Sequence, residues 1–419
     1  MKHTFIFLAL VLGISCIPAF GFYPPTSAAE TGQTEKSGTE IAVGAIRWDA
    51  WYENPAPEST NWNISDLVEQ TLAPEKYHHR VPFFANITSN GSVEMPVASQ
   101  DLIDREINLA KNGGIDYWAY CWYRNGTGME LARLLHQSSA YRNEVNMCAI
   151  LENVHFNTEQ DIDGLIHAFT LDHYQRVMGD RPLVYFFSVE NITATTIQRL
   201  RERCTEEGLP SPYVVLLSWN ATMPDIITSV GADAASAYVT TGEDGAPFQQ
   251  NMVKEQGRWE DWRRQGLKVI PIVTTGWDPR PRKETHVGWE NLYADNSWIQ
   301  AGTAQDIAQQ LALSMLWVKD NPESAEARAV LIYAWNEFDE GGWIAPTRSD
   351  IQDNGTIVPE RLDAIAQMRA LFVRDPESFR PKSNPWLFIV PIALLGLGGV
   401  SLIARAKDVK RVKSKERVD

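Results

Sequence analysis

Two glutamates three positions apart, Glu337 and Glu340, have the type and spacing needed for acid/base chemistry. They lie in the stretch 334–343, which reads Ala-Trp-Asn-Glu-Phe-Asp-Glu-Gly-Gly-Trp. Hydrolysis of a glycosidic bond uses such a pair, because one carboxyl group protonates the leaving oxygen while the other, ionised, acts on the opposite side of the sugar. Partial burial and mutual repulsion are expected to separate the two pKa values. We therefore predict Glu337 and Glu340 as catalytic residues, with Asp339 facing away if the turn is helical.

Aromatic, acidic and amide side chains follow several other apolar runs. Aromatic rings stack on the apolar faces of sugars, while carboxylates and amides bind sugar hydroxyls. We predict that the substrate is bound by Trp48, Asp49, Trp51, Tyr52, Trp122, Tyr123, Glu152, Asn153, Trp277, Asp278, Asn336 and Trp343.

Structural roles are the alternatives for several of these residues. Glu152 suits a helix cap or a loop contact as well as a binding role. Asp278 suits an ion pair with Arg280 or Arg282 that braces its own loop. The tryptophans Trp48, Trp122 and Trp277 suit the core.

The histidines do not form a metal-binding pattern. His78, His79 and His286 lack the spacing of metal ligands, and exposed loop positions are expected for them. No Gly-rich dinucleotide loop follows the first predicted strand. The sequence therefore predicts neither a metal nor a cofactor.

The elements that must position these residues alternate between short apolar runs and amphipathic helical stretches. The runs are too apolar for a sheet with one wet face, so strands covered on both sides are expected. The predicted strands are residues 41–48, 116–123, 147–153, 182–188, 213–219, 234–239, 268–277 and 329–336. Eight such units over residues 41–375 favour a (β/α)8 TIM barrel, with a long insertion at 49–98, over a doubly wound open sheet. In a barrel the predicted site residues meet at the C-terminal ends of the strands.

Charge and aromatic content indicate which class of molecule the protein binds. The chain has 419 residues and a net charge of −15. Residues 405–419 carry seven Lys/Arg and three Asp/Glu, a local charge of +4, so residues 1–404 carry −19. An acidic body of this size argues against nucleic-acid binding. Together with 15 Trp, 13 Tyr and 15 Phe, it is typical of proteins that handle sugars.

Both ends of the chain predict export and membrane attachment. Residues 1–29 have a short basic start, an apolar run and small residues for cleavage, as in a secretory signal peptide. A linker at 376–385 precedes 19 uncharged residues, 386–404, which are long enough to span a bilayer. The basic segment 405–419 then predicts a cytoplasmic tail. A buried soluble helix followed by a basic tail is the alternative for this region.

Three motifs resemble one known group of proteins. The stretch 334–346 resembles the Trp-Asn-Glu-Trp-x-Glu-Gly-x-x-Leu-Glu-Pro signature of WbsX-type proteins, which are related to glycoside hydrolase family 99. The stretch 276–282, Gly-Trp-Asp-Pro-Arg-Pro-Arg, resembles the group's Gly-Trp-Asp-x-x-Pro-Arg, and 114–123 resembles one of its strands. The similarity covers about residues 41–347. Two features depart from the group: Ala345 replaces an acid, and the first loop differs.

The resemblance implies a (β/α)8 barrel acting on mannose-containing or related polysaccharides. Family 99 enzymes are endo-acting, retaining α-mannosidases that use the 2-hydroxyl of the sugar as nucleophile. At matching positions, Glu337 would be the base that deprotonates this hydroxyl. Glu340 would be the acid that protonates the leaving oxygen and later activates water.

The leading hypothesis is a single-pass membrane protein whose extracytoplasmic barrel is a glycoside hydrolase, with a polysaccharide or glycan as substrate. A non-catalytic glycan-binding surface protein is one alternative, motivated by the loss of the acid at Ala345. A transferase in polysaccharide assembly is another, although the sequence has no Gly-rich phosphate loop.

Overall fold

The structure is a computed structural model that describes residues 40–54, 64–123, 128–152, 158–187, 192–218, 223–239, 241–287 and 297–380. The predicted signal peptide at 1–29, the transmembrane helix at 386–404 and the basic tail at 405–419 lie outside these ranges. Within them, no helix is both long and apolar enough to cross a membrane.

Eight parallel strands form one sheet around the core. They are β1 (Ala42–Arg47), β2 (Tyr117–Cys121), β3 (Asn146–Glu152), β4 (Arg181–Phe187), β5 (Tyr213–Leu217), β6 (Ala234–Ser236), β7 in two segments (Lys268–Val269 and Ile272–Thr274) and β8 (Ala329–Tyr333). Neighbouring strands pair in chain order from β1 to β6. The first segment of β7 pairs with β6 and the second with β8, which itself pairs with β1. The order thus returns to its start, and the fold is the predicted TIM-barrel-like α/β type.

Each observed strand overlaps one predicted run, but most observed strands end earlier. The runs that contain Trp48, Tyr123 and Trp277 continue past the last paired residue into loops. These loops carry the candidate site, because they follow the C-terminal ends of the strands.

Helices alternate with the strands and cover the sheet. They are α1 (Ile64–Leu72), α2 (Gln100–Asn112), α3 (Gly128–Ser138), α4 (Glu159–Phe169), α5 (Ala194–Glu206), α6 (Met223–Val230), α7 (Phe248–Arg264), α8 (Arg280–Thr285), α9 (Ala304–Asp320) and α10 (Glu360–Arg374). Helices α2, α4, α5 and α9 each begin after a Ser or Thr whose side chain caps the first turn. The Ser99 side chain accepts a hydrogen bond from the Leu102 N–H, and Thr303 and Asp306 form a capping box at α9.

The barrel interior is tightly packed. All five residues of β5 and of β8 are buried, which explains why these runs are apolar without alternation. At Gly44 in β1, an added Cβ atom would lie 2.0 Å from the Tyr117 ring, so only glycine fits there. Tyr117 in turn meets Tyr185 across the interior, with 2.9 Å between the hydroxyl oxygens.

The insertion after β1 packs against the segment that follows β8. It contains α1, a 3₁₀ helix at Glu75–Arg80 and a small hairpin of Asn86–Ile87 with Val93–Glu94. Pro82 forms a β-bridge with Thr347, and the Phe83 N–H donates to the Pro346 carbonyl at 3.1 Å. The insertion is therefore part of the framework around the candidate site.

The first part of the predicted linker is docked on the barrel. A 3₁₀ helix at Pro376–Phe379 follows α10, and Arg380 makes two hydrogen bonds, of 2.6 and 2.7 Å, to Asp320 at the end of α9. Glu377 pairs with Lys319 at 2.5 Å. The folded domain thus extends to Arg380, five residues beyond the predicted boundary at 375.

Candidate active site

A short hairpin after β8 carries the two predicted catalytic glutamates. Asn336–Glu337 pairs antiparallel with Gly342–Trp343, and a 3₁₀ turn at Phe338–Glu340 joins them. Gly341 ends the turn at φ 77°, where a Cβ atom would lie 2.8 Å from the Asp278 nitrogen. This tight turn brings three acidic side chains into one cluster.

One guanidinium group, that of Arg282 in α8, binds all three acids. Its Nη2 lies 3.1 Å from Glu337 Oε2 and 2.7 Å from Asp339 Oδ1, and its Nη1 donates to Glu340 Oε1. Arg282 was considered from the sequence only as a brace for Asp278. The three carboxyl groups with one guanidinium are called the Arg282 cluster below.

Hydroxyl groups from three other elements complete the Arg282 cluster. The Tyr238 hydroxyl donates to Glu337 Oε1 at 2.6 Å, and the Tyr333 hydroxyl donates to Glu340 Oε2 at 2.5 Å. Thr71 in α1 donates to Asp339 Oδ2 at 3.2 Å. Burial raises the pKa of both tyrosines well above 10, so they remain donors. The only sequence signal for Tyr238 was its place at the end of the predicted strand 234–239.

The expectation that Asp339 faces away from the two glutamates is wrong. Its side chain is fully buried and shares Arg282 with them. The physical reason is that α1 and α8, which come from distant parts of the chain, supply donors on the side where solvent was expected.

Burial and the repulsion between carboxylates shift the pKa values of two acids in the Arg282 cluster. Glu337 is 3% exposed and Glu340 is 7% exposed. Burial and the neighbouring Glu340 charge raise the pKa of Glu337, although Arg282 and the Tyr238 hydrogen bond oppose this shift. Burial likewise raises the pKa of Asp339. Glu337 therefore binds a proton more readily than an exposed glutamate, as expected from the sequence.

A second arginine, Arg47 at the end of β1, belongs to a hydrogen-bond network that reaches the first residue of the hairpin. Its Nε binds both oxygens of Asp49 at 2.9 and 3.0 Å, and its Nη2 lies 2.9 Å from Glu106 in α2. Asn336 donates to Asp49 at 3.1 Å and accepts from the Trp48 N–H at 2.7 Å. Because Asn336 precedes Glu337, this network fixes the backbone that carries the predicted base.

Glu106 was missed by sequence reasoning. It accepts hydrogen bonds from the Tyr52 hydroxyl and, at 3.1 Å, from Trp335 Nε1. Burial raises the pKa of Asp49 to about 6 despite the pairing with Arg47. The residues Arg47, Asp49, Glu106, Tyr52, Trp335 and Asn336 are called the Arg47 network below.

Trp48, Trp122 and Trp343 each have an arginine over the ring. The Trp48 ring lies 4.6 Å from the Arg282 guanidinium carbon, so it borders the Arg282 cluster directly. Arg133 lies 3.9 Å from the Trp122 ring, and Arg361 lies 4.0 Å from the Trp343 ring. Both stacks are favourable cation–π contacts.

Other predicted binding residues lie around this centre. Cys121, at the end of β2, lies 3.3 Å from the Tyr238 hydroxyl, and Tyr123 and Glu152 follow nearby, half-buried. Glu152 contributes to the raised pKa of both Tyr123 and Cys121. Trp277 is buried, and Asn153 lies outside the described residues.

Asp278 has the bracing role that was the sequence alternative. It accepts from Arg80 in the insertion and from Arg280, at 2.6 and 2.8 Å, and these partners hold its pKa below the ordinary value. Its backbone N–H donates to the Glu340 carbonyl at 2.5 Å. Asp278 therefore positions the turn that carries Glu340.

Trp51 and Tyr52 have no surface from which to contact a sugar. Trp51 is 0% exposed and packs edge-on against Phe338, with 5.0 Å between ring centroids. Tyr52 is 1% exposed and bonded to Glu106 and Arg47. For these two residues the structure favours packing beneath the site over the predicted ligand contact.

Known structures share this architecture. The chain aligns with the GH99 endo-α-mannosidase from Bacteroides thetaiotaomicron, solved with bis-tris propane, at 15% identity and a TM-score of 0.52. The alignment covers 80% of this chain and 98% of that one. A protein described as glycoside hydrolase-like aligns at 14% identity and a TM-score of 0.50, covering 81% and 96%.

The chain has a fold like that of glycoside hydrolase family 99. This confirms the resemblance that the sequence motifs indicated. No protein-family model and no curated protein sequence matches the chain. At this identity the likeness establishes the glycoside hydrolase-like fold, and the activity is argued from the side chains.

Within the described ranges, no group of three or more histidine, cysteine, aspartate or glutamate side chains is arranged to hold a metal ion. The three acids of the Arg282 cluster face a guanidinium instead.

Proposed function

We propose that the chain is a glycoside hydrolase that cleaves a polysaccharide or glycan by acid/base chemistry at Glu337 and Glu340. One observation carries the proposal. Two buried glutamates share one guanidinium group at the C-terminal end of β8, with the Trp48 ring directly beside them. Paired carboxylates next to an aromatic ring suit a sugar whose glycosidic bond is broken.

The local contacts favour a division of labour. Glu337, whose pKa is raised by burial and by the Glu340 charge, accepts a proton readily and suits the base, and Tyr238 orients one of its oxygens. Glu340 then suits the acid that protonates the leaving oxygen. The resemblance to family 99 favours the sugar's 2-hydroxyl as the group that Glu337 deprotonates.

Both oxygens of Glu340 already accept hydrogen bonds, from Arg282 and from Tyr333. Each carboxyl oxygen has two lone pairs, so Glu340 can carry a proton for a leaving oxygen while both contacts persist.

We further propose an α-mannoside as the first substrate class to test, since the aligned family 99 protein is an endo-α-mannosidase. The apolar stretch 386–404 and the basic residues 405–419 support a single membrane anchor with the barrel outside the cytoplasm. The acidic body supports a glycan rather than a nucleic acid as partner.

The test incubates the full chain with α-mannans and a panel of other polysaccharides and sizes the products by mass spectrometry. Glu337→Gln and Glu340→Gln are compared with Glu284→Gln, an exposed glutamate on α8. Fragments from the wild type and from the control, but not from the other two variants, would support the proposal. Cleavage by Glu340→Gln at the wild-type rate would rule out the assigned acid.

A glycan-binding protein is the second candidate, because Arg282 already holds both glutamates. It predicts binding without products, with equal affinity in the wild type and in Glu337→Gln.

A further inference from the structure

The geometry points to a fixed orientation at the membrane: the end of the barrel formed by the N-terminal ends of the strands faces the bilayer. The end that carries Glu337 and Glu340, where the proposed function requires the substrate cleft, then lies on the far side. This inference rests on the membrane anchor of the proposed function. It identifies the substrate as a glycan in the surroundings rather than the headgroup of a lipid in the same membrane.

The point where the described chain leaves the barrel is well defined. Arg380 makes its two hydrogen bonds to Asp320, and Glu377 pairs with Lys319. The Phe379 ring packs against Phe372, with 5.9 Å between centroids. Two of these contacts hold residues 376–380 at the C-terminal end of α9, and the third holds them against α10.

That end of α9 lies at the base of the barrel. The loop after α9 contacts the start of β7: the Val269 N–H donates to the Ser324 carbonyl at 2.7 Å, and Lys268 Nζ donates to the Glu323 carbonyl at 2.7 Å. The residue before the Thr303 cap of α9 contacts the other end of β7, where the Gly302 N–H donates to the Thr275 carbonyl at 3.1 Å. The helix therefore runs from the cleft side to the base.

The height between the two sides follows from the length of this helix. The 17 residues of α9 span about 25 Å at a rise of ~1.5 Å per residue. Glu337 follows the C-terminal end of β8, so it lies on the side where α9 begins. The exit at Arg380 and the cleft are therefore separated by roughly this helix length.

The tether, which is the segment 381–385 between Arg380 and the apolar stretch, is too short to reverse this arrangement. Residues 381–385 alone separate Arg380 from the apolar stretch at 386. Five residues reach at most about 18 Å when fully extended. A cleft facing the bilayer would require the chain to run from the base to the opposite side, a longer distance. Contacts at 376–380 and the short tether together keep the cleft turned away from the membrane.

The test measures the distance of two sites from the lipid surface in the full chain. Glu323→Cys at the base and Glu284→Cys on α8 beside the cleft replace exposed glutamates of the same type. Each variant is labelled with a fluorophore and reconstituted into phosphatidylcholine vesicles that contain a nitroxide-headgroup lipid. The parent chain, treated with the same label, corrects for reaction at the native cysteines Cys16, Cys121, Cys148 and Cys204. Both variants must unfold at the parent temperature.

We expect the label at Glu323 to be quenched and the label at Glu284 to retain its fluorescence. A 20-residue Gly-Ser insertion after Arg380, which adds a root-mean-square reach of roughly 25 Å, should abolish the difference. Equal quenching at both sites in the unextended chain, or stronger quenching at Glu284, would overturn the orientation. Failure of the chain to sediment with vesicles would overturn the anchor and the orientation together. Neither result affects the cleavage assay with soluble glycans, so failure of the catalytic proposal is seen separately.

Discussion

The Arg282 cluster and the Arg47 network each contain a buried arginine, but they differ in the number and origin of the carboxyl groups that the arginine binds. Arg282 faces three carboxyl groups from a single turn, whereas Arg47 faces two from separate places, the loop after β1 and helix α2. In the Arg47 network, tryptophan, tyrosine and asparagine side chains bind the remaining oxygens. In the Arg282 cluster, the two glutamates retain some exposure and border Trp48.

This difference suggests two roles: the Arg47 network positions the site, and the Arg282 cluster carries out the chemistry. In the Arg47 network, hydrogen bonds from several elements to Asp49 and Glu106 hold one arrangement rigid. In the Arg282 cluster, burial and the neighbouring Glu340 charge raise the pKa of Glu337 and leave this residue ready to exchange a proton beside Trp48. We therefore expect changes in the Arg282 cluster to affect turnover and changes in the Arg47 network to affect stability.

The largest expected effect is on turnover. Glu337→Gln should lower the rate of glycan cleavage by roughly 10²–10⁴-fold, because the base is removed. The free energy of unfolding should stay the same or rise, since the variant has one buried negative charge fewer beside Glu340. Cleavage assays and thermal unfolding on the same samples check this. A variant that unfolds early and is inactive for that reason would place Glu337 with the structural residues.

Arg47→Met should destabilise the fold by about 3–5 kcal/mol, because Asp49 and Glu106 then remain buried without their cation. The matched control is Arg280→Met, whose guanidinium is 43% exposed and whose partner Asp278 keeps Arg80. For an exposed pair the loss should be about 1 kcal/mol or less. Denaturant unfolding of both variants provides the measurement, and equal losses would contradict the comparison.

Another buried acid, Glu255 on α7, lies outside both groups. The described part of the chain gives neither carboxyl oxygen a hydrogen bond, and Arg258 Nη2 lies 3.4 Å away. Burial raises the pKa of Glu255 from 4.5 to about 7. The folded chain thus holds a proton that the unfolded chain releases, and the stability from this group is lost as the pH rises from about 4.5 to about 7.

Between pH 4 and pH 8 the wild type should therefore lose about 3 kcal/mol of unfolding free energy relative to Glu255→Gln. Urea unfolding of both chains at the two pH values measures this difference. A difference that is constant with pH would show that Glu255 is ionised in the folded chain.

The smallest effect concerns the pH dependence of cleavage. The Tyr238 hydrogen bond lowers the pKa of Glu337, so Tyr238→Phe should raise that pKa further. The acidic limb of the rate profile should move to higher pH by roughly one unit or less, since one hydrogen bond is worth about 1 kcal/mol. Tyr213→Phe, at a tyrosine bonded to Glu326, is the control and should leave the profile unchanged. A shift to lower pH in Tyr238→Phe would contradict the assigned contact.

The barrel was predictable because strands covered on both faces are apolar throughout, as β5 and β8 show. Glu337 and Glu340 were expected on a turn just beyond the last strand, which the structure places there, whereas the strand pairing on either side of the turn was not expected. Sequence periodicity reports which elements form, and it places residues at strand ends.

The donors to these acids were not predictable. Thr71, Tyr238 and Arg282 reach the acids from α1, the β6 loop and α8, and no local pattern shows that these elements meet. Glu106 lies on an ordinary amphipathic helix, and its role depends on which face of α2 meets Trp335. The predicted orientation of the Asp339 side chain was wrong for the same reason.

The pairing of β1 with β8 has a consequence for how the protein is made. Asp49 and Asn336, which meet in the finished barrel, are 287 positions apart in the chain. Contacts of such separation form slowly, and domains are synthesised from the N-terminal end. The edge of β1 that pairs with β8 therefore stays unpaired until nearly the whole barrel has left the ribosome. The catalytic hairpin is among the last parts to assemble, so a chain cut short before residue 329 lacks its two acids and also the strand that closes the sheet.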